Sequence, residues 1–484
     1  MIEVLSRHII NPDIVIHDKS GDVNYTDLCA LIDRWKILLV EKYHAQPGKK
    51  IVIEFTTPNA VYYAAQYAAW ELGMIVIGEW PYAYEDEDVY SKRMTMHGRI
   101  DYAIVSYGQT VPSDSTFNYW NYRRTTANVD FVITDKEFEE FKTPHPERAG
   151  IIATSILAQP EMEALWGASG GTTGAAKPTS NTHKKLYLSS LRHVKLLNIQ
   201  PTDHCLHIQN TLFGAGVWYW FLPVTMAARE HSIFVSKDST EIAQVINEKQ
   251  INKAQFHTLP LILNFVDALD RVDHDLEISS LFVIPKDYVE KIQKKNIKTV
   301  HMVFGDTTIG GTFFLKKIDQ TTIPSMYERN CMEELPDDFF EFELREGLLW
   351  MRIPSIGQEW RTSLDRFEIR DKKYYFYGRG NQYVIAGDTI TLGDLDAEVD
   401  RLFGTGAIIV VDDKEQKVYL AIFRENPEAE AEAELNHYFE HNFKKARIAQ
   451  VARGLDPNRF VASRKIDREK LRDYFRYFHL KPIG

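Results

Sequence analysis

Cysteine is scarce. Cys29, Cys205 and Cys331 are the three thiols in 484 residues, far apart and odd in number. That excludes a disulfide framework and fits thiols kept reduced in a cytoplasmic setting. Basic charge is not in excess either: 57 Lys and Arg stand against 68 Asp and Glu, a net charge of −11. There is no cationic footprint for nucleic acid, and the plentiful aromatic residues are not interleaved with basic runs. Long apolar runs are missing too. The most apolar stretch, Val217 to Ala228, is too short to span a bilayer and contains Pro223, so a buried helix is expected there. Met1 to Ile10 has no cationic segment followed by an apolar run, and no secretory leader is expected. No internal repeat is visible, and the alternating Ala and Glu of Glu428 to Glu434 reads as ordinary solvated helix. What is present is a globular composition, 44% apolar and 26% charged, over roughly three domain lengths.

Strand and helix signals alternate through the first two-thirds of the chain. Tyr25, Leu28, Leu31, Ile32, Trp35 and Leu39 recur at helical spacing. Val61 to Leu72 is helical in composition. Ile51-Val52-Ile53, Met74 to Ile77, Tyr102 to Val105 and Phe131 to Ile133 read as strands. This rhythm predicts an α/β fold of mostly parallel sheets with flanking helices. From Phe339 to Tyr377 short alternating runs predict a small antiparallel sheet or barrel. Gly378-Arg379-Gly380-Asn381 marks a boundary, giving a large domain over 1–380 and a small α+β domain over 381–484. In the small domain helices are expected at Leu392 to Phe403, Glu428 to Phe443 and Asp467 to Phe478. Strands are expected at Ala407 to Val411, Val418 to Phe423 and Arg459 to Ala462.

One loop dominates the chemistry: Ser169-Gly170-Gly171-Thr172-Thr173-Gly174-Ala175-Ala176-Lys177-Pro178, after the strand-like Ala164-Leu165-Trp166 and before a helix from about His183. Glycines let backbone N–H groups turn toward an anion, and threonine hydroxyls and a lysine add donors and charge. The loop is not a Walker A motif, because Ala175 and Ala176 separate Gly174 from Lys177. Gly167 to Gly171 also spells G-x-S-x-G, the hydrolase elbow with Ser169 as nucleophile, but an elbow serine enters its helix at once. The loop resembles the phosphate loop of the adenylate-forming superfamily of acyl-CoA synthetases, adenylation domains and luciferases, S/T-S/G-G-T-T-G-x-P-K. It matches at Ser169, Gly170, Gly171, Thr172, Thr173, Gly174 and Lys177, and departs at Ala176 and Pro178.

Other segments resemble the same family in the same order. Tyr25-Thr26-Asp27-Leu28 is similar to T-Y-x-E-L, and Ala69 to Pro81 to the segment after it. Phe304-Gly305-Asp306-Thr307-Thr308 is similar to Y-G-x-T-E. The resemblance implies that Phe304 packs on adenine beside Gly305 and that Thr307 contacts the α-phosphate. Thr308 replaces a glutamate that helps hold magnesium, a poor exchange for a hard dication, and Asp306 is the neighbouring carboxylate to take the metal. Trp360-Arg361-Thr362-Ser363-Leu364-Asp365 resembles Y-R-T-G-D with the aspartate one position late, so either the turn shifts and Asp365 binds ribose or that contact is lost. Gly378-Arg379-Gly380-Asn381 matches G-R-x-D, with Arg379 toward ribose or phosphate and Asn381 at the hinge. Gly387 matches the next loop, where Thr389 replaces a usual arginine. Ser463 to Arg468 resembles N-G-K-x-D-R and makes Lys465 the catalytic lysine that binds carboxylate and α-phosphate. Phe213-Gly214-Ala215-Gly216-Val217-Trp218 aligns with F-D-x-S-x-W of amino-acid adenylation domains. Gly214 leaves no counter-charge for an α-ammonium group, while Phe213, Trp218 and Trp220 either line an acyl pocket or belong to the core.

The resemblance implies an AMP-forming acid–thiol ligase. It would use ATP and magnesium to activate a small carboxylic acid, then pass the acyl group to a thiol of coenzyme A or a carrier protein. Two other readings stand beside it. Thr308 and Leu364 fit a noncatalytic nucleotide-binding relative. Ser169, or the H-x-x-E-H run of His437 and His441, fits a hydrolase, the latter with zinc.

Overall fold

The computed structural model describes residues 3–54, 59–78, 97–105, 129–168, 178–208, 216–234, 236, 238–306, 311–328, 331–334, 339–345, 347–357, 359–371, 373–379, 382–386, 388–412, 414–423, 429–462, 465–466 and 468–478. Some side chains inside its elements, those of Asp306, Arg379 and Lys465 among them, lie outside the described set. The strands are β1 (Val15–Asp18), β2 (Gly21–Asn24), β3 (Lys50–Glu54), β4 (Ile75–Ile77), β5 (Ile100–Val105), β6 (Val129–Thr134), β7 (Glu163–Ala168), β8 (Pro178–Thr182), β9 (His204–His207), β10 (Glu230–Ile233), β11 (Lys253–Phe256), β12 (Glu277–Ser280) and β13 (Thr299–Asp306). They continue as β14 (Gly311–Asp319), β15 (Cys331–Glu334), β16 (Glu341–Arg345), β17 (Leu348–Arg352), β18 (Arg361–Arg370), β19 (Lys373–Arg379), β20 (Gln382–Ile385), β21 (Asp388–Thr391), β22 (Ala407–Asp412), β23 (Lys417–Ile422), β24 (Ile448–Ala452), β25 (Val461–Ala462) and β26 (Lys465–Ile466). The helices are α1 (Tyr25–Glu41), α2 (Ala60–Glu71), α3 (Asp135–Glu140), α4 (Pro146–Thr154), α5 (His183–Leu196), α6 (Leu222–Ala227), α7 (Ser239–Glu248), α8 (Leu259–Ala268), α9 (Val289–Lys294), α10 (Leu392–Phe403), α11 (Ala429–Asn442) and α12 (Arg468–Phe478).

The first sheet runs β6-β5-β3-β4-β7-β8, parallel except for β8, which returns antiparallel from β7. Its central strands are continuous apolar runs because both faces are covered; β5 is buried along its whole length. The second sheet is a longer run, β16-β17-β18-β19-β15-β14-β13-β12-β11-β9-β10-β1-β2. From β1 through β13 its neighbours pair in parallel. From β13 to β16 they pair antiparallel. The expected antiparallel sheet therefore forms, but as a continuation of the parallel one through the β13–β14 hairpin.

Helix α2 is buried all round, as expected of a helix with apolar residues on every side. Asn59 caps it by accepting from Tyr62 N–H at 2.9 Å. Tyr63 meets Phe221 edge-on at 4.6 Å between centroids, and Tyr67 bonds Thr225 at 2.7 Å, so α2 ties the first sheet to the elements around β9 and β10. Val217 to Ala228 is the buried helix expected, with a π-helical first turn (Val217–Phe221) before α6. Glu71 at the end of α2 is fully buried and accepts from Arg7 twice through its guanidinium, both at 2.8 Å, and from Lys36 at 2.7 Å. Two cations on one carboxylate, each further bonded to Ala153 O, satisfy a group too costly to bury alone.

After β19 the chain builds cores of its own: one from Ile385 to Ala446, another around Val410, Tyr419, Leu471 and Phe475. Helix α10 has the expected bounds. Strand β24, parallel to β23, was not foreseen. Arg459 lies in a 3-10 turn (Pro457–Phe460) rather than a strand, because Asp456 accepts from Asn458 N–H at 3.0 Å and turns the chain.

At the amino ends of β11, β12 and β13, Glu277 takes Lys253 at 2.7 Å and faces His301 at 3.5 Å. Burial alone would raise its carboxyl, but hydrogen bonds and charge from His301 and Lys253 outweigh it and bring the pKa down to about 2. A carboxylate depressed in the fold stabilises above the unfolded value and loses that stability as pH falls toward its folded value. Wild type should exceed Glu277→Gln by about 3 kcal/mol near pH 7. In urea unfolding the gap should close between about pH 4.5 and 2; a gap independent of pH contradicts the assignment.

Candidate active site

Parallel strands deliver their carboxyl ends to one edge. In the second sheet β9 leads through the π-helical turn and α6 to β10 on one side, while its neighbour β11 leads through α8 to β12 on the other. Connections diverging above adjacent strands open a crevice, the usual ligand position in such sheets. Residues 209–215, with Phe213 and Gly214, leave from the end of β9; they lie outside the described residues, as do Ser169 to Lys177 after β7, Thr307 after β13, and Asn381. His207 at the end of β9 is 1% exposed, and neither ring nitrogen has a partner among the described residues. Burial and the stacked His231 push its pKa well down, so it stands neutral.

Of the expected adenine and ribose residues, Phe304 lies near the end of β13 and Asp365 within β18. Phe304 lies 5.0 Å from Phe376 and 5.6 Å from Phe367, ring to ring. Two residues before Phe367, Asp365 sits directly opposite Arg379 in the β18–β19 ladder. The register of β18 breaks here against both neighbours: between Leu348 and Trp350 of β17 and between Asp365 and Phe367. Extra residues in one strand re-aim side chains, and this irregularity coincides with the one-residue offset of Asp365 in the sequence. Asp365 is 2% exposed. Gly305 carries its own structural demand. A Cβ there would overlap the carbonyl oxygen of Gly311, and one on Gly311 would overlap the ring of Phe340. Asp306 ends β13 opposite Gly311. Lys465 opens β26 opposite Ala462.

Helix α5 presents its polar side inward. His183, Ser189, Ser190, Arg192 and His193 are buried, while Leu188, Leu191 and Val194 are only partly so. Arg192 donates to Thr312 O and lies 5.0 Å over both the Phe339 and Phe340 rings. Burial, with Arg192 adding to it, holds His193 down to about 3, so the ring is neutral. Its Nδ1 lies 2.6 Å from Ser189 O, a pure acceptor, so Nδ1 carries the proton. Nε2 then accepts from the Thr312 hydroxyl at 2.8 Å. Trp218 is 2% exposed and packs 5.2 Å from His193. Arg192, His193 and His207 are the residues that sequence reading passed over. The available signal was a helix whose polar residues are too many and too regularly placed for one solvated face.

The small cavity lined by Trp220, Lys253, Glu277 and His301, about 10 Å³, has room for one water at most and sits at the amino ends of the strands, so it is not the substrate site.

No protein-family model and no curated protein matches the chain. Solved structures do. A benzoate CoA ligase from Burkholderia xenovorans superposes with a TM-score of 0.73 at 17% identity, over 95% of this chain and 96% of that one. An o-succinylbenzoate CoA synthetase from Bacillus subtilis, bound to its acyl-adenylate intermediate, gives 0.72 at 16% over 96% and 97%. An anthranilate CoA ligase in complex with anthranoyl-AMP gives 0.69 at 13% over 96% and 94%. The chain has the fold of the adenylate-forming superfamily.

Within the adenylate-forming fold both hydrolase readings lose their footing. Ser169 lies outside the described residues; after residues 169–177 the described chain is β8, antiparallel to β7, and then the helix from His183, where a hydrolase elbow would lead from strand into helix. His437 and His441 share one side of α11 at 6.4 Å between rings, with Leu435 and Phe439 buried on the other. Among the described residues they have no third metal ligand within reach.

If the β13–β14 hairpin, and not the nucleotide alone, requires glycine at 305, Gly305→Ala should lose about 1–3 kcal/mol without any ligand present. Chemical unfolding checks this; unchanged stability contradicts the close approach.

Proposed function

We propose that the protein activates a small carboxylic acid with ATP and magnesium and passes the acyl group to a thiol such as that of coenzyme A. The observation that carries the reading is the fold shared with acid–thiol ligases, supported by Phe304 packing on Phe367 and Phe376 and by Asp365 pairing opposite Arg379 in the adjacent β18–β19 ladder. In this reading Ser169, Gly170, Gly171, Thr172, Thr173, Gly174 and Lys177 hold the β- and γ-phosphates. Phe304 and Gly305 meet adenine, Asp365 and Arg379 meet ribose, and Asp306 offers the carboxylate for magnesium, which neutralises charge on the leaving pyrophosphate.

The acid's carboxylate oxygen attacks the α-phosphorus, the bond to the bridging oxygen breaks, and pyrophosphate departs. Thr307 and Lys465 stabilise the charge that grows on the α-phosphoryl oxygens, so the protein's task is alignment and electrostatics. The thiol sulfur then bonds the acyl carbon and AMP leaves, the thiol proton passing to solvent. We place the division between the two domains at residues 380 and 381, with Asn381 as the hinge that orders the two steps. Phe213, Gly214 and Trp218 border the acyl group; Gly214 supplies no counter-charge, so the acid lacks an α-ammonium group. Among the described residues no helix is long and apolar enough to cross a membrane, and the described cysteines are free, which supports work on small molecules in a reducing compartment.

Acid-dependent ATP–pyrophosphate exchange across a panel of carboxylic acids should appear, and Lys465→Ala should lower it by about 10²-fold or more with the melting temperature unchanged. Absence of exchange with every acid favours a nucleotide-binding relative without catalysis. Asp365→Asn should raise the Michaelis constant for ATP several-fold more than that for the acid; equal effects on both remove Asp365 from the ribose site.

A further inference from the structure

At the opposite edge of the second sheet, away from the nucleotide crevice, three ligand-type side chains converge. Glu230 opens β10. His204 opens β9 directly across from it, and His17 of β1 lies opposite Ser232, two residues along β10. Residues 230 and 232 share a face of the strand, so parallel register brings His17, His204, Glu230 and Ser232 to one side of the sheet. His204 Nδ1 lies 3.6 Å and His17 Nε2 3.9 Å from the same oxygen of Glu230. One ligand atom from each of the three falls within 4.8 Å of the others.

The outer nitrogens are already engaged. His17 Nδ1 is 2.7 Å from the carboxylate of Asp22, an acceptor only, so Nδ1 carries the proton and Nε2 turns a lone pair toward Glu230. His204 Nε2 is 2.8 Å from the Ser232 hydroxyl. The Ser232 hydroxyl can donate to that nitrogen or accept from it, and in the tautomer with Nε2–H donating, Nδ1 also presents a lone pair to Glu230. In that tautomer two imidazole lone pairs and a carboxylate face one point, an arrangement that a cation between them satisfies. An outer carboxylate and hydroxyl that orient the imidazoles are the usual support of metal-bound histidines.

We propose that His17, His204 and Glu230 form a site for a divalent transition-metal ion of the zinc class, which cross-links β1, β9 and β10. A tetrahedral ion with bonds near 2.0–2.1 Å sets its ligands about 3.3 Å apart, so the separations of 3.6 and 3.9 Å to Glu230 need a contraction of about half an ångström, and the whole set, within 4.8 Å, at most about 1.5 Å. Two histidines and one carboxylate leave positions open to water, and the side chains are partly exposed, which gives the ion a way in. The site joins residue 17 to residues 204 and 230, fastening the β1–β2 hairpin at the end of the sheet.

The test uses the full chain, stripped with EDTA and held in magnesium-free buffer. Zinc is titrated against a chromophoric chelator, and cobalt is read by its visible absorption. One equivalent should bind with tetrahedral-type cobalt bands, and zinc should raise the melting temperature. His204→Ala and Glu230→Gln should abolish both effects while keeping the wild-type circular dichroism. Asp22→Asn should weaken zinc about 10- to 100-fold. The paired variant His437→Ala/His441→Ala should leave all of this intact. No binding by wild type, binding unchanged in His204→Ala and Glu230→Gln, or binding lost in the His437/His441 variant would each overturn the proposal.

Discussion

Parallel pairing is the constraint on which the rest of the molecule depends. A parallel strand enters and leaves its sheet at the same edges as its neighbours, so loops distant in sequence are forced into proximity in space. In the second sheet this happens for β9, β11, β12 and β13. The carboxyl ends of these strands share one edge, the β13–β14 pairing turns the sheet antiparallel, and further along it Asp365 and Arg379 pair opposite each other in β18 and β19. The opposite edge collects the amino ends, and with them the Lys253–Glu277–His301 network and the His17–His204–Glu230 cluster. Two kinds of polar chemistry are thus separated by the length of the strands.

Helix α5 connects the loop-bearing hairpin β7–β8 with this arrangement. It follows β8 directly, and Arg192 and His193 reach Thr312, the second residue of β14. A buried polar helix face is costly unless each group is satisfied. Here the hydrogen bonds fall in a chain: Ser189 O fixes the tautomer of His193, His193 orients the Thr312 hydroxyl, and Arg192 closes on the Thr312 carbonyl. The position just after residues 307–310 is thereby held by side chains and not by the ladder alone.

Much of this was legible beforehand, for identifiable reasons. The apolar runs at 51–53 and 102–105 became parallel strands because burial on both faces leaves no alternation to misread, while 131–133 became the edge strand β6, with Phe131 exposed. Helix α10 begins and ends where its periodicity does. Strand β24 went unnoticed because Ile448-Ala449-Gln450-Val451-Ala452 is short and mixed, and its pairing with β23 is a tertiary fact. The resemblance of Asp365 to a ribose-binding aspartate carried a one-residue discrepancy that sequence could not resolve, since a bulge is a property of paired strands. His193 was hidden for another reason: its role depends on Ser189 and Thr312, and no local pattern encodes the second of these. The metal-type cluster joins residues 17, 204 and 230, a juxtaposition made only by the sheet.

The central claim is that the carboxyl edge of the sheets is where nucleotide is held. Amide hydrogen exchange of the full chain with and without MgATP tests it most directly. The account predicts slowed exchange in residues 169–177, 304–312 and 361–366, with little change around His17, His204 and Glu230 at the other edge. Protection absent from the first three segments, or concentrated at the amino edge, would contradict it.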